Sequence, residues 1–117
     1  PVEQPDPFAG IAAAVTREDA NGQPFGGWQP QEAISREQAL AAYTAGGAWA
    51  GFGEGRFGRL AAGERADCLM LDLDPLLASI PDLRKTRVIE VWISGRQVYS
   101  DTPPPAPSGN NGEMIGR

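Results

Sequence analysis

The sequence predicts a chain of mixed helix and strand, with helices in its first half and strands in its second. Three observations carry that expectation. Phe8, Ile11, Ala12 and Val15 recur at helical spacing. Ser35 and Gln38 stand three apart ahead of Leu40 and Tyr43, the signature of a capped helix start. Three short apolar runs follow at 67–73, 88–93 and 96–99, the last two parted only by Ser94 and Gly95.

The first helix is expected from Pro7 to about Arg17. Asp6 is placed to cap its free N–H groups, and the fixed φ of Pro7 suits the first turn. Residues 21–30 are rich in turn formers but hold two aromatics, Phe25 and Trp28. Two readings of that pair stay open: they tack the loop to the body, or they border a pocket. The second helix is expected over 36–49, with Leu40, Tyr43, Ala48 and Phe52 on one face. Gly46-Gly47 either ends it or admits another backbone closely.

Residues 51–58 hold four glycines. They lack the preceding strand and the Gly-Lys-Ser/Thr ending of a phosphate loop, so they read as a connection. A turn at 61–64 leads to the run 67–73, apolar on nearly both faces, which predicts burial from both sides. Asp74-Pro75 stops it. Residues 76–81 read as a short irregular or helical link. Asp67 is expected to accept N–H groups of the 61–64 turn. Gly95 suits the positive φ of a two-residue hairpin joining 88–93 to 96–99. Residues 101–117 read as a Pro-rich tail.

Composition narrows the function. Leu, Ile, Val and Phe supply 23 of 117 residues, close to the level of about 20% below which a packed core becomes doubtful. The chain therefore reads as a piece docked on something larger. Its net charge is −5 and no Lys/Arg cluster stands out, which argues against nucleic acid or an anionic membrane as partner. No apolar run reaches the 18 or so residues of a membrane span. The lone Cys68 cannot form an internal disulfide and suits a reducing cytoplasm. There is no histidine. A start at Pro1, without Met, suggests that the true N-terminus lies elsewhere.

Three segments in order resemble one enzyme family. Residues 36–48, Arg-Glu-Gln-Ala-Leu-Ala-Ala-Tyr-Thr-Ala-Gly-Gly-Ala, are similar to the last barrel helix of metal-dependent amidohydrolases. Residues 58–72, with Gly58, Leu60, Gly63, Ala66, Asp67 and Asp72, resemble that superfamily's G-x-L-x-x-G-x-x-A-D-h-h-h-h-D signature. Residues 88–99, with Val88, Gly95, Val98 and Tyr99, resemble its closing hairpin. The nearest likeness is to amidohydrolase family 3, the N-substituted formamide deformylase-like subgroup. Pro1-Val2 and Pro5–Ile11 resemble the segment that follows the last barrel strand.

The resemblance implies an α/β parent built on a TIM barrel. Residues 1–56 would be the end of the (β/α)8 barrel, and 57–100 the C-terminal strands of a composite β-sandwich completed by N-terminal strands. It implies a hydrolase of C–N bonds in non-peptide amide-type substrates, using water activated by a divalent metal, zinc by preference. The family's ligands are histidines and a last-strand aspartate, which would fall one or two positions ahead of Pro1. No catalytic residue and no metal ligand is therefore assigned in this chain. What carries over is the pocket rim: Val2, Glu3 and Gln4, with Phe25 and Trp28 on the loop. A lone loop carboxylate such as Glu3 is by default solvated. The implied partners are the N-terminal remainder of the enzyme and its small substrate; a homo-oligomer stays open, and the chain alone is expected to be inactive. The alternative is a non-catalytic α+β binding module, with Trp28 and Trp92 as contact residues.

Overall fold

The computed structural model describes residues 2–101. Helix α1 spans Pro7–Thr16. Asp6 Oδ1 accepts the Phe8 N–H at 2.9 Å, the cap that the sequence predicts. The helix stops at Arg17, which takes φ 60° and returns its N–H to Ala13 O. A single 3-10 turn, Pro30–Glu32, leads to α2, Arg36–Tyr43. Its capping box is complete: Ser35 Oγ accepts the Gln38 N–H and Gln38 Oε1 accepts the Ser35 N–H.

The expected helix over 36–49 is broken in two. Thr44 takes ψ −93°, and α3 runs separately over Ala45–Ala50. The cause is local. The Thr44 hydroxyl donates to Leu40 O at 2.9 Å, taking the carbonyl that the helical N–H would use. The Thr44 N–H turns to Ala41 O instead. Gly58 then packs into the break: a Cβ there would lie 2.8 Å from Ala48 Cβ and 3.1 Å from Thr44 O. Its φ of +102° is also one that side-chain-bearing residues rarely adopt. The expected apolar face changes accordingly. Ala39 and Ala48 are buried, whereas Tyr43 is half exposed and Phe52 fully so.

The second half is a three-stranded antiparallel sheet in the order β1-β2-β3. Strand β1 is Cys68–Leu71, shorter than the run 67–73. Strand β2 is Val88–Ile93 and β3 is Arg96–Ser100. Cys68 faces Trp92 and Leu69 faces Val91; across the other ladder Val91 faces Tyr99. Ser94 (φ 53°) and Gly95 (φ 73°) turn between β2 and β3. Both φ values are positive, the arrangement whose twist matches a two-residue hairpin.

Between β1 and β2 lies a short helix, α4, over Ile80–Leu83. The 76–81 link is therefore irregular at first and helical only from Ile80. Ser79 caps α4 by accepting the Asp82 N–H. Its Leu83 is fully buried and, with Phe8, Ile11, Ala12 and Ala39, forms the core. Leu71 and Val88 pack against that cluster from the sheet, joining the two halves. Among the described residues, Phe8, Ile11 and Leu83 are the large side chains that are buried. Each contributes about 1.5–3 kcal/mol.

Burial of β1 on both faces does not occur within this chain: Leu69 and Met70 are 52% and 53% exposed. Asp67 also departs from expectation. It accepts a main-chain N–H, but from Ser94 of the hairpin rather than from the 61–64 turn. Asp101 is not tail-like: its N–H donates to Ile89 O and its carboxylate pairs with Arg87. The rest of the expected tail, 102–117, lies outside the described residues.

Candidate functional site

Two open clefts are the concave features that bear on function. The first, about 730 Å³, runs along α1 and is lined by Glu3, Gln4, Asp6, Glu18, Tyr43 and Arg84 among others. Most of its carboxylates already hold the backbone. Asp6 caps α1. Glu18 accepts the Gly26 N–H at 3.0 Å, and Asp19 accepts those of Asn21 and Gln23 at 2.8 and 2.9 Å. Arg84 Nη2 donates to Asp19 O at 2.9 Å, which anchors α4 to this edge.

The five expected rim residues separate into two places. Glu3 and Gln4 line the α1 cleft, and Val2 precedes them with its side chain in solvent. Phe25 and Trp28 belong to a loop tied to the opposite end of α1. Trp28 donates its N–H to Arg17 O at 2.9 Å, and Arg17 Nε returns a bond to Trp28 O at 3.1 Å. The Arg17 guanidinium lies 5.4 Å from the Trp28 ring centre, a cation–π contact. Trp28 is thus tacked down. Phe25, 94% exposed, is not. Neither Tyr43 nor Arg84 was picked out as a rim residue in the sequence; no local spacing places them beside Glu3.

The second cleft, about 700 Å³, lies between α2–α3 and β1. Its walls are apolar: Leu40, Phe57, Leu60, Leu69 and Leu71. Leu60 is 81% exposed there. Cys68 also lines it, as a free thiol.

The resolved carboxyl shifts belong to structural groups. Arg65 beside Asp67, and then the Ser94 N–H, hold the Asp67 carboxyl below its usual range. The Glu37 carboxyl is lowered by its own main-chain N–H and then by Ser35. Among the described residues no three His, Cys, Asp or Glu side chains converge in a way that could hold a metal ion. With no histidine in the sequence, these residues do not fit a catalytic metal, and no step through one is assigned to them. No helix among the described residues is long and apolar enough to cross a membrane.

Comparison with known proteins decides the family. The chain matches the amidohydrolase family over residues 1–99. It belongs to that family. Amidohydrolases are enzymes, so the chain belongs to an enzyme family. It is 35% identical over 89 residues, 76% of its length, to the N-substituted formamide deformylase of Arthrobacter pascens. It is 30% identical over 99 residues, 85% of its length, to YtcJ of Bacillus subtilis (strain 168), a protein assigned to the amidohydrolases. The matched regions are only 16% and 19% of those two relatives. No solved structure matches the chain significantly.

Proposed function

We propose that this chain is the C-terminal part of a metal-dependent hydrolase acting on C–N bonds of amide-type compounds other than peptides. The observation that carries the reading is a conjunction. A family match covers residues 1–99, a curated relative is named for deformylation of N-substituted formamides, and the chain itself contains no histidine. The chemistry therefore belongs to upstream polypeptide, and the chain alone is inactive. In the complete enzyme a bound divalent metal, zinc by preference, would supply activated water for attack on the carbonyl carbon.

In this reading residues 1–56 close a (β/α)8 barrel and 57–100 contribute strands to a composite β-sandwich. The exposure of Leu60, Leu69 and Met70 supports it, because a strand apolar on both faces is at home in a covered sheet. Val2, Glu3 and Gln4 border the substrate pocket, since barrel enzymes place their sites at the ends of strands that lead into helix N-termini. Phe25 and Trp28 form a second arm of the rim.

The test is to express the whole parent enzyme from its reading frame and assay an N-substituted formamide. Hydrolysis that is lost to a chelator and restored by zinc is expected, with metal found in the purified protein. Turnover by the 117-residue chain alone, or by a metal-free parent, would overturn the proposal.

A further inference from the structure

We propose that Asn21–Gly22 is a latent modification site, an asparagine–glycine bond that an Asp19 clamp keeps from spontaneous deamidation. It lies past the end of α1 and is independent of the hydrolase reading.

An Asn-Gly pair carries its own chemistry. The Gly22 main-chain nitrogen can attack Cγ of Asn21. A C–N bond forms there, and the bond from Cγ to the side-chain nitrogen breaks. Ammonia leaves with the proton that the Gly22 nitrogen gives up. Water then opens the cyclic imide at either carbonyl. One product is aspartate; the other is isoaspartate, whose main chain runs through the former side-chain CH2. Glycine makes ring closure easiest, because it has no Cβ to stand in the way. Asn21 is exposed, so water reaches it.

The loop holds the reacting nitrogen away from its target. The Gly22 N–H donates to Asp19 O at 3.0 Å. Asp19 Oδ1 accepts the N–H groups on either side, from Asn21 at 2.8 Å and from Gln23 at 2.9 Å. The Asp19 N–H donates to Gln23 O at 2.8 Å and closes the loop. Asp19 O also takes Arg84 Nη2 at 2.9 Å, which ties the clamp to α4 from 65 residues away. To reach Cγ, the Gly22 nitrogen must leave Asp19 O, and the Asn21 main chain must rotate against its bond to Asp19 Oδ1. A hydrogen bond of ordinary net strength slows a step that needs it open by about 2- to 12-fold. Two together slow it by about tenfold or more. Isoaspartate would also lengthen the chain between Asp19 and Gln23, so the clamp would not close in the same way around the product.

The test follows deamidation at Asn21 in the whole parent enzyme, incubated at mildly alkaline pH. Mass spectrometry reads it in the tryptic fragment Glu18–Arg36, whose only asparagine is Asn21. The folded parent is expected to react about tenfold or more slowly than the same protein unfolded in urea. Asp19→Ala should bring the folded rate towards the unfolded one. Asp19→Asn, which keeps an acceptor oxygen, should stay slow, with fragment ions separating Asn21 from the new amide. Equal rates in the folded and unfolded parent would overturn the proposal; that comparison needs no variant, so it decides even where Asp19→Ala fails to fold. An Asp19→Ala rate no faster than that of the unaltered parent would overturn it too, as would Asp19→Asn reacting as fast as Asp19→Ala.

Discussion

Asp67 Oδ1 accepts the main-chain N–H of Ser94 at 2.9 Å, reaching across 27 residues of sequence. Its other oxygen, Oδ2, accepts Arg65 Nε at 2.7 Å. Beside it the Gly95 N–H donates to Ala66 O at 2.9 Å. One carboxylate thus fixes the start of β1 against the β2–β3 turn. That is a structural task, and it explains the value of Asp at this place without reactivity.

The same pair gives a pH dependence. Arg65 and then the Ser94 N–H lower the folded-state pKa of Asp67 below its unfolded value. A depressed carboxyl stabilises the fold fully above the unfolded pKa, and that contribution is lost as the pH falls through the folded pKa. Melting of the parent enzyme should therefore drop on the acid side of the usual carboxylate range. In Asp67→Asn the acid limb flattens, because the titrating group is gone. Asp67→Ala lowers the melt further, since it also removes the acceptor for Ser94. An unchanged acid limb in Asp67→Asn would show that other groups set it.

Gly58→Ala is expected to destabilise the parent enzyme by about 1–3 kcal/mol, the range for a side chain forced into a sparsely populated backbone region. The added Cβ would also meet Ala48 Cβ at 2.8 Å. Denaturant midpoints measure it. A change under about 0.5 kcal/mol would mean that the α2–α3 break relaxes freely.

Leu83→Ala is expected to cost about 2–5 kcal/mol, because Leu83 is fully buried at the junction of α1, α2 and α4. Leu60→Ala is the more discriminating variant. Leu60 is 81% exposed in this chain. If upstream polypeptide covers it, the same substitution costs the parent about 2 kcal/mol or more. A cost within about 0.5 kcal/mol would place Leu60 in solvent there too.

Local rules made much of the fold legible. Asp6-Pro7, the Ser35/Gln38 box and Ser94-Gly95 each act within a few residues, and each forms as the sequence predicts. What escaped depends on distance. Gly58 packs behind the Thr44 break from 14 residues away, and Asp67 chooses Ser94 rather than its neighbouring turn. Leu83 lies just past the 76–81 link, in a short helix whose first turn tolerates Pro81. Ser79 and Asp82, three apart, were the available signal. At the site, Glu3 and Gln4 could be placed at the start of α1 from sequence, while Tyr43 and Arg84 reach the same cleft only through the packing of α2 and α4.

Calorimetry of the isolated 117-residue chain tests most directly whether absent polypeptide completes this structure. The account predicts no cooperative peak, or one far below the roughly 0.7 kcal/mol per residue of a self-sufficient domain. A sharp two-state transition with about 70 kcal/mol for the 2–101 region would contradict it.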